Sequence, residues 1–193
     1  TTVGFKEVKE LSPAGRVFTV FLIFFGMAVI AYLLGIVAQA MAEFQIRYIV
    51  GRSKLERKMR SIKNHYILCG CGRIGKIIMK ELKSHGIPIV VIDNMSGLGE
   101  MLDDEDIPFI NGDATSEDIL IQARVERAKG LIAVVGSDAD NLFITVTARG
   151  LNPNLFILAR ADEEQTEKKL LRAGADKVIL PYLIGGQKMA QII

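Results

Sequence analysis

Cysteine is almost missing from this chain. The two that it has, Cys69 and Cys71, stand one residue apart. Neighbours at i and i+2 make poor disulfide partners, and two ligands are too few for a structural zinc site, so a disulfide scaffold and a zinc-held fold are both excluded. The pair reads as reduced, cytosolic thiols, with a redox-sensing role open to a thiol placed over a helix N-terminus. Histidine is as sparse: His65 and His85 are isolated and receive no role. A gathered basic face is also lacking. Residues 1–64 hold ten Lys and Arg against four Asp and Glu, whereas residues 65–193 hold fourteen against eighteen. A nucleic-acid-binding surface needs its positive charge concentrated on the folded domain, so no nucleic-acid partner is expected.

Charge is wholly absent from Val17 to Ala38, where Thr19, Gly26 and Gly35 are the only residues outside the hydrophobic set. Those residues, at ~1.5 Å each, span ~33 Å as a helix, against a hydrocarbon core of ~30 Å, which predicts a transmembrane helix in a lipid bilayer. Arg47, Arg52, Lys54, Arg57, Lys58, Arg60 and Lys63 follow, opposed by Glu56. The positive-inside rule makes that flank cytoplasmic, so the chain belongs in the cell membrane with its C-terminal part in the cytoplasm and residues 1–15 facing outward. Ala28, Ala31, Gly35, Ala38 and Ala42 form a small-residue stripe suited to close helix packing or to lining a pore. Residues 53–64 have no sustained apolar face and read as a polar helical linker.

From Tyr66 the pattern changes to short apolar runs separated by helical segments. Strands are expected at 66–69, 89–93, 109–111, 131–135, 156–160 and 177–181, with helices at 74–85, 97–104, 116–123, 139–149 and 163–173. Such alternation predicts an α/β fold, a doubly wound parallel sheet of Rossmann type with crossover helices on both faces. After Gly185-Gly186, residues 187–193 read as the first turns of another helix, and both ends of the sequence read as cut.

Gly70-Cys71-Gly72-Arg73-Ile74-Gly75 is a G-x-G-x-x-G sequence between a predicted strand and a predicted helix. Gly70 permits a tight turn, Gly72 lets backbone approach a pyrophosphate, and Gly75 allows close helix–strand packing. Free N–H groups of the helix start then face the phosphates. The second strand ends on Asp93, eighteen residues past Gly75, where a carboxylate accepts from an adenosine ribose hydroxyl and repels a 2′-phosphate. NAD, ADP or ATP is therefore favoured over NADP. Arg73 either reaches a phosphate or is an exposed helix-start arginine. Asn94 lies beside Asp93. Asp113 and Ala114 close the third strand, Asp113 either touching the adenine end or capping a helix. Gly136 borders the same crevice, and Arg160 ends the fifth strand as a second phosphate contact. Asp103-Asp104-Glu105-Asp106 is either solvated surface or a divalent-cation site.

The opening residues Thr1-Thr2-Val3-Gly4-Phe5 stand one short loop before the apolar helix. Four such strands around an axis can replace the hydration shell of potassium with backbone carbonyls. Thr2 supplies a hydroxyl at the cytoplasmic end, Gly4 a small, conformationally free residue between ion sites, and Phe5 an aromatic brace, with Val3 completing the strand. The stretch TTVGFKE followed by an inner helix resembles potassium-channel pores, and the part from residue 65 resembles the regulator-of-potassium-conductance (RCK) domain, a Rossmann module attached to such pores.

The resemblance covers essentially the whole chain. It implies a filter and outer loop over 1–15, an inner helix over 16–50, a linker over 51–64 and an RCK domain over 65–193, without the C-terminal lobe. It further implies a homotetramer with paired RCK domains, potassium ions in a filter of Thr2, Val3, Gly4 and Phe5, a gating hinge at Gly26, and gating by a cytosolic nucleotide rather than enzymatic activity. Two departures stand out. Lys6 occupies the place of the family's second filter glycine, and positions matching a calcium-binding carboxylate cluster are Val134, Arg160 and Asp162, so that calcium site is expected to be absent. The alternatives are a regulatory or transport subunit of a potassium uptake system and a membrane-tethered NAD-dependent oxidoreductase; the latter is opposed by the lack of an obvious acid/base pair near the strand ends.

Overall fold

This computed structural model describes residues 12–95 and 97–192, and the chain divides into two compact units, Thr1–Ser53 and Lys54–Ile193. The filter residues Thr2, Val3, Gly4 and Phe5, with Lys6, lie outside the described residues.

The first helix, α1, is Pro13–Ser61. Its start follows from Ser12-Pro13: the Gly15 N–H donates to Ser12 Oγ at 3.2 Å, and proline fits the first helical position because its missing N–H would have no partner there. Pro13–Gln39, 27 residues, is long and apolar enough to cross a membrane, and none of it is buried within the chain. Phe24 is 69% exposed and Phe18 65%, the signature of apolar side chains whose solvent is not water. The backbone is helical through Gly26 without a break and continues helical to Ser61.

In the second unit six strands form one parallel sheet: β1 Tyr66–Cys69, β2 Ile89–Asp93, β3 Phe109–Asn111, β4 Gly130–Ala133, β5 Phe156–Arg160 and β6 Lys177–Ile179. Their order is β3-β2-β1-β4-β5-β6, with Cys69 opposite Ile92 on one side and Ala133 on the other. This is the doubly wound order, in which the chain turns back between β1 and β4. The strands are apolar along both faces because both are covered. On one face Ile67, Val90, Leu131 and Ile157 pack with Leu120, Ile144 and Leu170 from helices α4 (Glu117–Gln122), α5 (Asp138–Leu151) and α6 (Glu164–Arg172). On the other, Leu68, Val91 and Ile132 pack with Met79, Leu98 and Leu102 from α2 (Arg73–Ser84) and α3 (Leu98–Asp104).

Helix ends shift by one or two residues from the sequence expectation, and the structure departs from it further in three places. β4 stops at Ala133 rather than 135, because the Val135 N–H and carbonyl are both taken by the Asn141 side chain, at 3.0 and 3.2 Å. β6 stops at Ile179, and Pro181 opens a helix, α7 (Pro181–Ala190), that runs straight through Gly185 and Gly186. A 3-10 turn, Val125–Arg127, entered through Arg124 at φ 58°, joins α4 to β4 where no element was expected.

Candidate functional site

The strands β1 to β5 deliver their C-terminal ends to one crevice of about 900 Å³. β1 ends on Cys69, and the chain turns at Gly70, whose φ of +97° disfavours any side chain and where an added Cβ would lie 3.0 Å from the Val134 and Val135 backbone. Gly72 then precedes α2 with no side chain to cap it, and an added Cβ there would meet open space. The helix thus presents an uncapped N-terminus to the crevice, with N–H groups and the positive dipole end available to an anion. Gly75 serves packing: a Cβ on it would lie 2.0 Å from the Gly70 carbonyl oxygen.

Asp93 holds this turn in shape. Its Oδ2 accepts from the Cys71 N–H at 2.6 Å and its Oδ1 from the Met95 N–H at 2.8 Å. Each carboxylate oxygen keeps acceptor capacity beyond those bonds, so the group braces the loop and still offers lone pairs to a hydroxyl. Asp113 accepts at Oδ1 from the Thr115 N–H (2.9 Å) and hydroxyl (2.8 Å), which holds its carboxyl below the usual range. It makes a local turn and does not cap α4, whose N-cap is Ser116.

Across the switch point, Asn141 is fully buried and ties the two strand ends together. It accepts from Val135 N–H and donates to the carbonyls of Val135 (3.2 Å) and Arg160 (3.1 Å). Arg160 reaches the crevice with its guanidinium already engaged: Nε donates to Asp162 Oδ1 at 3.0 Å and a terminal nitrogen to Oδ2 at 2.8 Å, while the Tyr182 ring lies 5.5 Å from the guanidinium carbon.

Of the residues singled out from sequence, Gly70, Gly72, Arg73, Ile74, Asp93, Asn94, Asp113, Ala114, Gly136 and Arg160 all line the crevice. Cys71 and Gly75 are buried behind it. Cys71 turns its side chain into the core beside Leu68 and Met79, and burial, followed by the Asp93 charge, pushes its thiol up. Burial likewise pushes Cys69 up. Both thiols are therefore poor nucleophiles, which removes the redox-sensor reading. Sequence reasoning missed Asp140, Tyr182 and Met189 among the lining residues; the last two arrive with α7. The acidic run does not converge either. Glu105 pairs with Lys83 at 3.1 Å and Asp106 with Lys58, and among the described residues no group of three metal-ligating side chains forms.

Residues 66–181 match the model of the TrkA-N domain. The chain belongs to the TrkA-N domain family. The segment before its TrkA-N domain, residues 1–43, matches the ion channel model. Potassium channel protein 1 of Methanocaldococcus jannaschii is 42% identical over the whole of this chain, which spans 58% of that relative. Among solved structures, the TrkA-N domain of the inner membrane protein YbaL from Escherichia coli is 28% identical with a TM-score of 0.66, covering 69% of this chain and 98% of that one. The Kef C-terminal domain of Shewanella denitrificans, in an AMP-bound form, is 26% identical with a TM-score of 0.54, covering 60% of this chain and 70% of that one. The apolar helix and the ion-channel match together place this TrkA-N protein in a membrane.

Proposed function

We propose that this chain is the pore-lining and ligand-binding part of a potassium channel whose TrkA-N domain binds an adenine nucleotide or NAD in the cytoplasm. The observation that carries the reading is the joining, in one chain, of an ion-channel segment and a crevice with an uncapped helix N-terminus beside a ribose-accepting carboxylate. Pyrophosphate sits at Gly70, Gly72 and the first turn of α2, with Arg73 beside it; the ribose hydroxyls donate to Asp93. Four chains surround the pore, each supplying one filter strand from Thr2 to Phe5, since a single strand cannot enclose an ion. Gly26 lets the inner helix bend. Nucleotide shifts the pore only insofar as it binds the open and closed arrangements with different affinity. The AMP-bound relative and the channel relative support the two halves of this reading.

Potassium flux from liposomes reconstituted with the protein tests it. Flux should depend on the protein, exceed that of sodium, and change when NAD or ADP is added to the side bearing the TrkA-N domain. Flux that ignores both nucleotides, with nucleotide binding intact, would remove gating from the proposal.

A further inference from the structure

The N-termini of α2 and α5 both reach the crevice, and they are prepared differently. That of α2 carries no side-chain cap and starts with Arg73, for which no ion pair occurs among the described residues. That of α5 is capped by Ser137, whose Oγ accepts the Asp140 N–H at 3.3 Å, and its first turn adds the carboxylates of Asp138 and Asp140. Asp140 lines the crevice. Asp138 accepts the Asp162 N–H at 3.0 Å, which fixes Asp162 where its own carboxylate grips Arg160. The side chain of Arg160 is only 12% exposed, so its charge is neutralised where it stands. One half of the crevice, over β1 and β2, thus offers uncapped helix N–H groups and the cation of Arg73 beside the Asp93 carboxylate, whose oxygens accept from the Cys71 and Met95 N–H groups. The half over β4 and β5 offers a spent cation, an extra acid and the aromatic ring of Tyr182.

From this asymmetry, and resting on the nucleotide reading above, we propose that Asp140 and Asp162 are specificity-determining residues that make the site select a dinucleotide over a nucleoside triphosphate. A dinucleotide keeps its phosphate charge in the middle, at α2, and ends in a second nucleoside with no negative charge. A triphosphate carries its highest charge at its end, where it meets Asp140 and finds Arg160 occupied. Asp140 and Asp162 thus act by exclusion.

Calorimetry on the protein in detergent micelles, in magnesium-free buffer with NAD and ATP as probes, decides this. The parent should bind NAD at least about tenfold more tightly than ATP. Asp162→Asn keeps an acceptor for Arg160 but frees its charge, and should tighten ATP about fivefold while moving NAD less than about twofold. Asp140→Asn should do the same to a smaller degree, about threefold. Thermal melts of each variant establish that it is folded. ATP binding more tightly than NAD to the parent, or equal gains for both ligands in Asp162→Asn, overturns the inference. Asp93→Ala separates the two levels: if it weakens both ligands while ATP is not discriminated, the specificity inference alone fails. If neither ligand binds the parent, the nucleotide reading fails and the inference with it.

Discussion

The two edges of the sheet are built on opposite plans. At the C-terminal edge the strands open into the crevice, with glycine backbone, an uncapped helix and carboxylates whose lone pairs are partly free. At the N-terminal edge the groups are closed on one another. The Asn64 N–H donates to the Arg127 carbonyl (3.0 Å), the Tyr66 N–H to Pro88 (2.9 Å) and the Lys129 N–H to His65 (2.8 Å). His65 is fully buried beneath them, and Lys58 pairs with Asp106 beside a smaller hollow of about 410 Å³. A fold of this kind keeps unsatisfied backbone where a ligand can satisfy it and closes it elsewhere. The contrast makes the two edges respond differently to substitution.

The largest effect is expected at the glycine turn. Gly75→Ala would set a Cβ 2.0 Å from the Gly70 carbonyl oxygen, so either the turn or α2 must move. The expected cost is about 3 kcal/mol of stability together with loss of nucleotide binding. Denaturation of the protein in detergent and calorimetry should both record it. Unchanged binding would show that the turn tolerates displacement and would weaken the contrast between the edges.

A smaller effect, on the closed edge, is tied to pH. His65 Nε2 lies 2.8 Å from the Ala123 carbonyl, and Nδ1 is buried without a partner, so the neutral ring with hydrogen on Nε2 is the form that fits. Burial holds its pKa below 6.5, outweighing the Ala123 hydrogen bond and the Glu126 charge, which act in the other direction. The folded state thus binds the proton less readily than the unfolded state. Its stabilisation is present in full above the unfolded value and is lost as pH falls through the folded one. Melting temperature should drop between about pH 7.5 and 5, and His65→Gln should flatten that dependence. Parallel curves for parent and variant would place the acid sensitivity elsewhere.

The smallest effect belongs to Lys58→Ala. Its ion pair with Asp106 is largely solvent-exposed, with Asp106 at 77%, so the loss should stay under about 1 kcal/mol. Nucleotide affinity should stay within about twofold, because the pair lies at the edge away from the crevice. A large loss of affinity would show that the edges are coupled through the sheet.

How much of this was legible before the fold was known depended on how local the cause was. The strand order and the glycine turn were readable because apolar runs such as Ile89–Ile92 are covered on both faces and because the positive φ of Gly70 and the close approach of Gly75 to the Gly70 carbonyl are requirements local in sequence. The α7 helix was not, since Pro181 can end a strand or begin a helix and Gly185-Gly186 reads as a turn; Tyr182 and Met189 disappeared with it. That Cys71 faces the core depends on the direction of the turn at Gly70, a tertiary fact. The Arg160–Asp162 pair did have a signal that went unused, because residues two apart near a strand end point to the same side.

In the proposed function one crevice both binds nucleotide and sets the state of the pore. Single-channel recording in bilayers, with NAD titrated on the TrkA-N side and binding measured by calorimetry on the same preparation, tests it most directly. Open probability should change with a midpoint matching the binding constant, and in Asp93→Ala both should shift together by about tenfold or more. Currents that respond to NAD with the same midpoint in Asp93→Ala, while binding to the crevice is lost, would contradict it.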